Sequence, residues 1–420
     1  MSMLGGMNES ALGPLGQVRI GSRAARAMVT ELTRRPDPKT GLLVGAAPDS
    51  PVLAAALDSL LPGDVLTVLS TDPAAMRAAL AGMGSWVTDR VRVVESLGVA
   101  DPADVVIVAE PIIGTAEQAR GTLDVLAKLV TPGGVVTAAA VAVPGIAPGA
   151  AAELDRQAQL YGVGSDLVLR NAPPVRVHRL RWTSPDPATV ERYAPAHRTT
   201  SIPLSRDLHI DSHGVAAAGL AFGLAVLTKL ARPRSKAWLL PAAAALPLAA
   251  FFRDPQRDVP EDPSLVVAAS DGKVISVERV TDNRFSGDGS DAEYLRVAVF
   301  LSVLDVHINR APVAGQVVDY FLTDGGYAAA MNPDAEHNVA AYTVLATGRG
   351  RVVVAQRTGL IARRIVQRAP VGAVLARGER FGLIRFGSRT DVYLPADAAD
   401  ALVVPDDRVL GGTTPIARWR

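Results

Sequence analysis

Two adjacent residues near the C-terminus, Gly387 and Ser388, could carry out chemistry on their own peptide bond. Glycine lacks a Cβ, so its carbonyl carbon can be approached closely, and Ser388 places a hydroxyl beside that carbonyl. Attack by Ser388 Oγ would turn the peptide bond into an ester, and loss of the Ser388 α-proton would then expel Gly387 as a carboxylate. Hydrolysis of the remaining dehydroalanine would leave a pyruvoyl group, an electron sink of the kind that carbonyl cofactors provide. A Gly-Ser pair alone is more typical of a turn, so the hypothesis depends on the motifs around it.

The amino-acid composition excludes several other kinds of site. The 420-residue chain has no cysteine, which excludes disulfides, thiolate metal sites and a cysteine nucleophile. No two histidines or carboxylates stand at ligand spacing near an apolar strand, so no metal is expected. The net charge of +1 supports no general affinity for nucleic acid. The N-terminal stretch MSMLGGMNES lacks a basic segment followed by an apolar one, so no secretory signal is predicted.

Apolar runs that alternate with helix-like stretches predict a parallel, Rossmann-like α/β domain over residues 20–185. The predicted buried strands are residues 41–47, 64–70, 91–96, 103–110 and 135–141. A helix is predicted over 122–134, where Pro-Gly-Gly would close it. A linker rich in Pro, Arg and Thr is expected over 186–206.

Two uncharged apolar stretches, 212–228 and 237–252, follow the linker and flank a basic loop, KLARPRSK. They are predicted to form membrane-associated helices over 207–253. Two interpretations remain open: a pair of buried core helices, or a helical hairpin held at a membrane with its basic loop at anionic headgroups. The second is favoured because a tight basic loop between two apolar arms suits a soluble core poorly.

Short β-branched runs with Gly, Asp and Pro breaks predict a β-rich domain over 254–420. The stretches GAVLARGERFGLIRF and LVVPDDRVLGGTTPIA share one pattern, an apolar pair, a turn, a glycine and another apolar pair. We predict that each forms a hairpin in a compact barrel or sandwich.

Four motifs occur in order along this half of the chain: FFRDPQR (251–257), AASDGKV (268–274), FLSVLDVHINRAPVAG (300–315) and GERFGLIRFGSRTDVYLP (378–395). Together they resemble the phosphatidylserine decarboxylase family, of the short bacterial type with an FGS-type cleavage motif. The resemblance covers about residues 205–420. It implies an enzyme that converts phosphatidylserine to phosphatidylethanolamine and CO₂ at the cytoplasmic face of the cell membrane. The precursor would be cut between Gly387 and Ser388 into a β chain (1–387) and an α chain (388–420) with pyruvate as a covalent cofactor made from Ser388.

The family's Ser-His-Asp triad for self-cleavage corresponds to Ser388, His307 and Asp271, with Asp271 orienting and charging the histidine. On its own, a lone histidine in an apolar run is as well explained as a core residue. Longer-motif relatives carry a second histidine three residues after the first, whereas this chain has Arg310 there. Either His307 serves both as base and as proton donor, or Arg310 has taken over substrate binding.

The remaining substrate-binding candidates are Asn309, which flanks His307, and Arg363 in the stretch LIARRIV. An arginine there could bind phosphate or carboxylate through two parallel hydrogen bonds, and a solvated strand face is the competing interpretation.

The stretch LLVGAAPDS (42–50) and Asp72 resemble a weakened S-adenosylmethionine-methyltransferase loop and its ribose-binding acid. The resemblance implies a degenerate domain of that fold. Two alternatives for the whole chain stay open: an S-adenosylmethionine-dependent methyltransferase with an inert lipid-binding C-terminal domain, and a non-enzymatic membrane scaffold.

Overall fold

The computed structural model of the protein describes residues 18–36, 38–70, 72–196, 201–205, 207–359, 364–385 and 388–420. The chain divides into two compact units. The first contains the residues up to Thr199 together with Pro370–Val374, and the second contains Thr200–Ala369 and Leu375–Arg420.

The first unit is an α/β domain built on a seven-stranded sheet. Its strands are β1 Thr40–Val44, β2 Val65–Leu69, β3 Val91–Val94, β4 Ala103–Val108, β5 Val130–Val141, β6 Gly162–Val168 and β7 Val175–Leu180. Its helices are α1 Ser22–Met28, α2 Thr30–Arg34, α3 Pro51–Leu57, α4 Pro73–Ala81, α5 Ser85–Thr88, α6 Ala116–Ala127, α7 Pro148–Tyr161 and α8 Pro187–Val190, with a 3₁₀ turn at Leu97–Val99.

The order of strands in this sheet is β3-β2-β1-β4-β5-β7-β6, and β7 runs antiparallel to both of its neighbours. Successive strand residues face opposite sides, so Leu43 belongs to one buried cluster and Leu42 to the other. Because both faces of the sheet are covered, its strands read as continuous apolar runs. The predicted Rossmann-like domain is confirmed.

The prediction of a helix over 122–134 is wrong at its C-terminal end. The helix α6 ends at Ala127, and Pro132, Gly133 and Gly134 lie inside strand β5. The register of β5 against β4 shifts there, and Gly133 has φ +75° while its N–H donates to Thr183 Oγ1 at 2.7 Å. The two glycines therefore form an irregularity within a strand. Glycine is also the usual residue at the end of a helix, so residue type alone does not distinguish the two structures.

The second unit begins with a small sheet and two apolar helices. The elements are β8 Ser201–Pro203, β9 Leu208–Asp211, α9 Ser212–Ala231, α10 Leu239–Phe251 and β10 Arg253–Pro255. The helices pack against each other as a hairpin. Only Gly214 and Ala225 of α9 and Phe251 of α10 are buried, which argues against a pair of core helices.

The rest of the second unit is β-rich, as predicted. Its strands are β11 Leu265–Val267, β12 Gly272–Asp282, β13 Ala292–Leu301, β14 Ile308–Arg310, β15 Gly315–Thr323, β16 Ala340–Thr347, β17 Gly350–Arg357, β18 Ile365–Gln367, β19 Val374–Leu375, β20 Arg380–Ile384, β21 Ser388–Pro395, β22 Ala399–Ala401, β23 Arg408–Val409 and β24 Pro415–Trp419, with a 3₁₀ turn at Pro333–His337. An eight-stranded sheet has the order β19-β15-β16-β17-β21-β13-β12-β23, and two three-stranded sheets have the orders β14-β20-β18 and β11-β24-β22.

Of the two hairpins predicted from the repeated pattern, the first does not form, and the second pairs only at its ends, where the Leu402 N–H donates to the Ile416 carbonyl oxygen at 2.9 Å. Strand β19 pairs with β15 while β20 lies between β14 and β18, and β23 pairs with β12 while β22 and β24 pair with each other. Strands of two or three residues bury too little surface to pair as an isolated hairpin, so more distant partners decide their place.

Candidate active site

Ser388 is the first residue of β21, a strand in the interior of the eight-stranded sheet. Strand β21 pairs with β13 on one side, where Ser388 lies opposite Leu301, and with β17 on the other. Ser388 is completely buried, and its Oγ has no hydrogen-bond partner among the described residues. A buried hydroxyl without a partner is costly, so it marks a place where chemistry or a ligand is expected.

The strand that carries Ser388 is fixed from its other face by a buried ion network. Asp391 receives hydrogen bonds from Arg389 Nε at 2.6 Å and Arg357 Nε at 2.7 Å. Burial by itself would raise the pKa of Asp391, but the two guanidinium groups hold it below its usual value. Arg357 also donates to the hydroxyl of Tyr393 at 3.0 Å. This network holds the start of β21 in place beneath Ser388.

His307 precedes β14 and is almost fully buried. Its Nδ1 lies 2.9 Å from the carbonyl oxygen of Asp305, whereas its Nε2 has no partner in the described part of the chain. The ring packs against Phe251, with 4.2 Å between ring centroids. Burial lowers the pKa of His307 to about 4, partly offset by the Asp305 carbonyl and carboxylate. The imidazole is therefore neutral at pH 7, and a proton on Nδ1 leaves Nε2 free to act as a base.

Chain connectivity brings His307 close to the residues that precede Ser388. The carbonyl oxygen of His307 accepts the N–H of Ile384 at 3.2 Å, and the adjacent Ile308 pairs with Leu383 in β20. Ile384 is the last residue of β20, four residues before Ser388. Gly387, the predicted cleavage partner, lies outside the described residues, and so does Arg363.

Asp271, predicted to orient and charge His307, makes its hydrogen bonds to other residues. Its carboxylate instead accepts from Arg257 Nη2 at 2.6 Å and from the Gly411 N–H at 2.8 Å. Burial raises the pKa of Asp271, and the positive charge of Arg257 opposes that shift. The charge of Asp305 raises the pKa of Asp271 and that of His307, so this carboxylate acts on both residues of the predicted pair.

Asn309 and Gln356, both completely buried, form an amide pair near Ser388. Gln356 Nε2 donates to Asn309 Oδ1 at 2.7 Å, and no described residue bonds Asn309 Nδ2 or Gln356 Oε1. Gln356 lies opposite Thr390, two residues from Ser388 on the same face of β21. Thr390 is itself bonded to Ser270, with 2.5 Å between the hydroxyl oxygens. Asn309 was predicted from its position beside His307, whereas sequence reasoning missed Gln356.

The motif FFRDPQR supports two of the candidate catalytic side chains and two buried or half-buried arginines. Phe251 packs on His307, Arg257 bonds Asp271, and Asp254 receives a hydrogen bond from Arg380 Nε at 2.6 Å. Asp254 also receives one from Arg310 Nη2 at 3.1 Å. The motif therefore connects the helical hairpin to three parts of the site.

Arg310 is buried and held by protein groups. Besides Asp254, its guanidinium donates to the carbonyl oxygens of Gly378 at 3.1 Å and Pro255 at 3.0 Å. These hydrogen bonds link Arg310 to the end of β10 and to the residues just before β20. Substrate binding by Arg310 stays a prediction.

Gly45, the glycine of the stretch LLVGAAPDS, and Asp72 have ordinary structural roles in the first unit. Gly45 follows β1 with φ +76°, and Asp72 is the N-cap of α4, accepting the N–H of Ala75 at 2.9 Å. The degenerate methyltransferase-like domain stays a prediction, and binding of S-adenosylmethionine stays an open alternative. Across the described ranges, no cluster of three or more His, Asp or Glu side chains has the arrangement of a metal site.

Acyl transfer by an activated nucleophile requires a hydroxyl group and a base. The site has both: a buried serine hydroxyl at the start of an interior strand, and a buried neutral imidazole next to the preceding strand.

The family model described as "Phosphatidylserine decarboxylase" matches residues 246–417. A phosphatidylserine decarboxylase proenzyme from Symbiobacterium thermophilum is 51% identical over 170 residues, which cover 40% of this chain and 77% of that protein. One from Thermobifida fusca is 43% identical over 199 residues, 47% of this chain and 86% of that protein. The chain belongs to the phosphatidylserine decarboxylase family.

Solved structures that align with part of this chain include a precorrin-6Y C5,15-methyltransferase from Geobacter metallireducens, with 18% identity and a TM-score of 0.30 over 42% of this chain and 96% of that one. The O-methyltransferase TomG from Streptomyces achromogenes has 14% identity and a TM-score of 0.29 over 39% of this chain and 82% of that one. Likenesses of this size carry no argument about function.

Proposed function

We propose that the protein cleaves its own chain between Gly387 and Ser388 and then decarboxylates phosphatidylserine to phosphatidylethanolamine and CO₂. The observation that carries the proposal is the completely buried, unpartnered Ser388 hydroxyl at the head of β21, in a chain that belongs to this family. The α chain would contain residues 388–420 and the β chain residues 1–387.

In the cleavage step, His307 Nε2 takes the Ser388 hydroxyl proton as Oγ bonds to the Gly387 carbonyl carbon. The C–N bond then breaks, and the proton passes to the amide nitrogen of Ser388, which leaves an ester. Loss of the Ser388 α-proton expels Gly387 as a carboxylate, and water converts the dehydroalanine to a pyruvoyl group and ammonia. Asp271 acts on this centre through its charge.

The residues at this position fit such a group because Ser388 is enclosed and lies beside unpartnered polar atoms. A pyruvoyl group at the position of Ser388 would supply the electron sink that decarboxylation of an amino acid headgroup needs. The chain's own residues hold that position and exclude water: Phe251 covers His307, and the Arg357–Asp391–Arg389 network fixes the strand from behind. Asn309, Arg310 and Arg363 are the proposed contacts to substrate.

The α chain would stay attached after the cut because its strands pair widely with the rest of the unit. Strand β21 is bonded along its length to β13 and β17, β23 pairs with β12, and β24 pairs with β11. A segment this short has no core of its own, so the two chains are interlocked through one sheet and one core.

The hairpin α9–α10 would hold the enzyme at the cytoplasmic face of the membrane. By length and composition α9 could cross a bilayer, while α10 is shorter. The base of the hairpin lies at the site: Phe252 follows α10 and packs with Phe251, and Asp211, the N-cap of α9, is bonded on both oxygens by Arg368 at 2.6 and 2.8 Å. A lipid headgroup that follows the helices inward would therefore arrive next to His307.

The test is the intact mass of purified wild-type and Ser388→Ala proteins, with phosphatidylserine conversion measured on both. The wild type should separate into two chains, with the smaller one lighter than residues 388–420 predict because serine has become pyruvoyl. Since Ser388 Oγ makes no hydrogen bond to the described residues, Ser388→Ala should fold, stay full length and be inactive.

The matched control is Ser290→Ala, which removes an exposed serine hydroxyl in the same unit and should leave both cleavage and activity unchanged. A wild-type protein that converts phosphatidylserine with a continuous chain would refute the proposal.

A further inference from the structure

The amide pair of Asn309 and Gln356 presents one unused donor and one unused acceptor to the interior of the site. Gln356 Nε2 bonds Asn309 Oδ1, and Asn309 Nδ2 and Gln356 Oε1 find no partner among the described residues. Each such buried atom costs roughly 1–3 kcal/mol. Rotating both amides by 180° only exchanges the atoms, because the pair always leaves one N–H group and one oxygen unused. The cost is therefore built into the pair.

The backbone places this pair beside both reacting groups. Gln356 lies opposite Thr390, so Ser388 is its diagonal neighbour on the same face of the sheet, about 7–8 Å away between Cβ atoms and within reach of a long side chain. Asn309 is in β14, two residues after His307, which immediately precedes that strand, so the chain keeps the two side chains in one neighbourhood. His307 Nε2, Ser388 Oγ and Asn309 Nδ2 are thus three unpartnered buried atoms in one region.

A glycine in β20 leaves the space that lets Gln356 reach Asn309. Gly382 pairs with Asn309 in one direction and with Gln367 in the other. A Cβ on Gly382 would lie 3.1 Å from Gln356 Nε2 and 2.5 Å from the Val366 carbonyl oxygen, which is backbone and cannot move aside cheaply. A side chain at this position would therefore clash with the backbone of β18 and press on the Gln356 amide.

We infer that Asn309 Nδ2 donates the hydrogen bond that stabilises the oxyanion during self-cleavage, and that Gln356 is the positioning residue that holds it. The inference rests on the proposed cleavage at Ser388. When Oγ adds to the Gly387 carbonyl, the carbonyl oxygen gains the negative charge and needs a donor already in place. Gln356 occupies Asn309 Oδ1 and so directs the N–H side of the amide to the cleavage centre. Loss of one such donor lowers the rate about 10²–10³-fold in enzymes that use an oxyanion hole.

The sharpest test is Asn309→Asp, which keeps the size of the side chain and its acceptor for Gln356 but removes the N–H donor. The precursor is made in a short pulse of cell-free synthesis, which is then stopped. It is transferred to buffers between pH 8 and 5.5, and its cleavage over time is measured by gel electrophoresis. At pH 8 the variant should cleave about 10²–10³-fold more slowly than the wild type. As the pH falls, the introduced carboxyl gains a proton and becomes an O–H donor, so its rate should rise while the wild-type rate stays level.

Two substitutions of Gln356 separate positioning from packing. Gln356→Glu introduces an acceptor that attracts Asn309 Nδ2 away from the cleavage centre, so cleavage should be slow at pH 8 and recover on acidification. Gln356→Met keeps the volume but has no group to titrate, so its rate should be reduced and independent of pH in this range. Asn283→Asp, at an exposed asparagine in the same unit, should cleave like the wild type.

The inference fails if Asn309→Asp cleaves at the wild-type rate, or if it is slow at every pH, since a purely structural defect has no reason to be relieved by acid. A failure of the proposed function looks different, because the wild type itself would then remain uncut. Acid recovery of Asn309→Asp also shows that the slow precursor was folded.

Discussion

Replacing Leu220 and Leu227 by serine removes apolar surface from the outward face of α9. The two leucines are seven residues apart, two helical turns, and so lie on one face of the helix. Their exposed fractions are 77% and 65%. If the hairpin binds a membrane, this face is buried in lipid, and the double substitution weakens binding without disturbing the packing of the unit.

The size of the effect follows from that exposed area. Complete burial of a leucine side chain stabilises by roughly 1.5–3 kcal/mol, so burying the exposed part of each leucine contributes about 1.5 kcal/mol. The pair then accounts for about 3 kcal/mol, or about a hundredfold in the partition coefficient between lipid and water. The basic loop adds about 1 kcal/mol for each arginine or lysine at an anionic surface.

The assay is flotation of the purified protein with vesicles of phosphatidylcholine containing phosphatidylglycerol, at rising lipid concentration. The matched control is Leu160→Ser with Leu169→Ser in the first unit, where the exposed fractions are 61% and 69%. The control should bind like the wild type, whereas the α9 variant should need about a hundredfold more lipid.

Unchanged vesicle binding by the α9 variant would refute the membrane role of this helix. Equal loss in the control would show that the assay reports general hydrophobicity. A change in oligomeric state with intact vesicle binding would assign the exposed leucines to a protein interface instead.

Two further predictions concern the buried charges of the site. Burial lowers the pKa of His307 to about 4, so the base stays neutral as the pH falls. The cleavage rate measured by pulse-chase should therefore be level from pH 7.5 to 5.5. A histidine with its ordinary pKa near 6.5 would lower the cleavage rate about tenfold over that range, and such a result would contradict the assignment. Asp254→Asn removes the buried carboxylate that Arg310, which is buried, and Arg380, which is half-buried, share, so chemical denaturation should show a loss of about 3–5 kcal/mol. Asp400→Asn, at an exposed ion pair with Arg420, should change stability little.

The candidate catalytic residues could be predicted from the sequence because each lies in a short contiguous motif. Ser388 follows a glycine that permits close approach, and His307 stands alone in an apolar run. The order of four such motifs was enough to indicate the family. The class of each half was also accessible, since strands buried on both faces read as continuous apolar runs and short β-branched runs with turn residues read as a β-rich domain.

The hydrogen-bond partners of those residues could not be predicted from the sequence. The sequence suggested that Asp271 orients His307, but Arg257 and Gly411 hold Asp271 while the ring bonds the Asp305 carbonyl. Gln356 carries no signal in its own stretch, because its role depends on lying opposite Thr390 and reaching past a glycine on another sheet.

The sequence by itself determined which groups are present and the kind of backbone on which each stands, since residue type and periodicity act over a few neighbours. The tertiary structure alone decided which buried polar atoms are paired and which remain unpaired. Many of those pairings join residues far apart in the chain, such as Arg257 with Asp271 and Asp211 with Arg368. Once the polar groups are buried, the packing of the sheets alone decides which of them form hydrogen bonds. That packing leaves Ser388, His307 and Asn309 with unsatisfied atoms in one region.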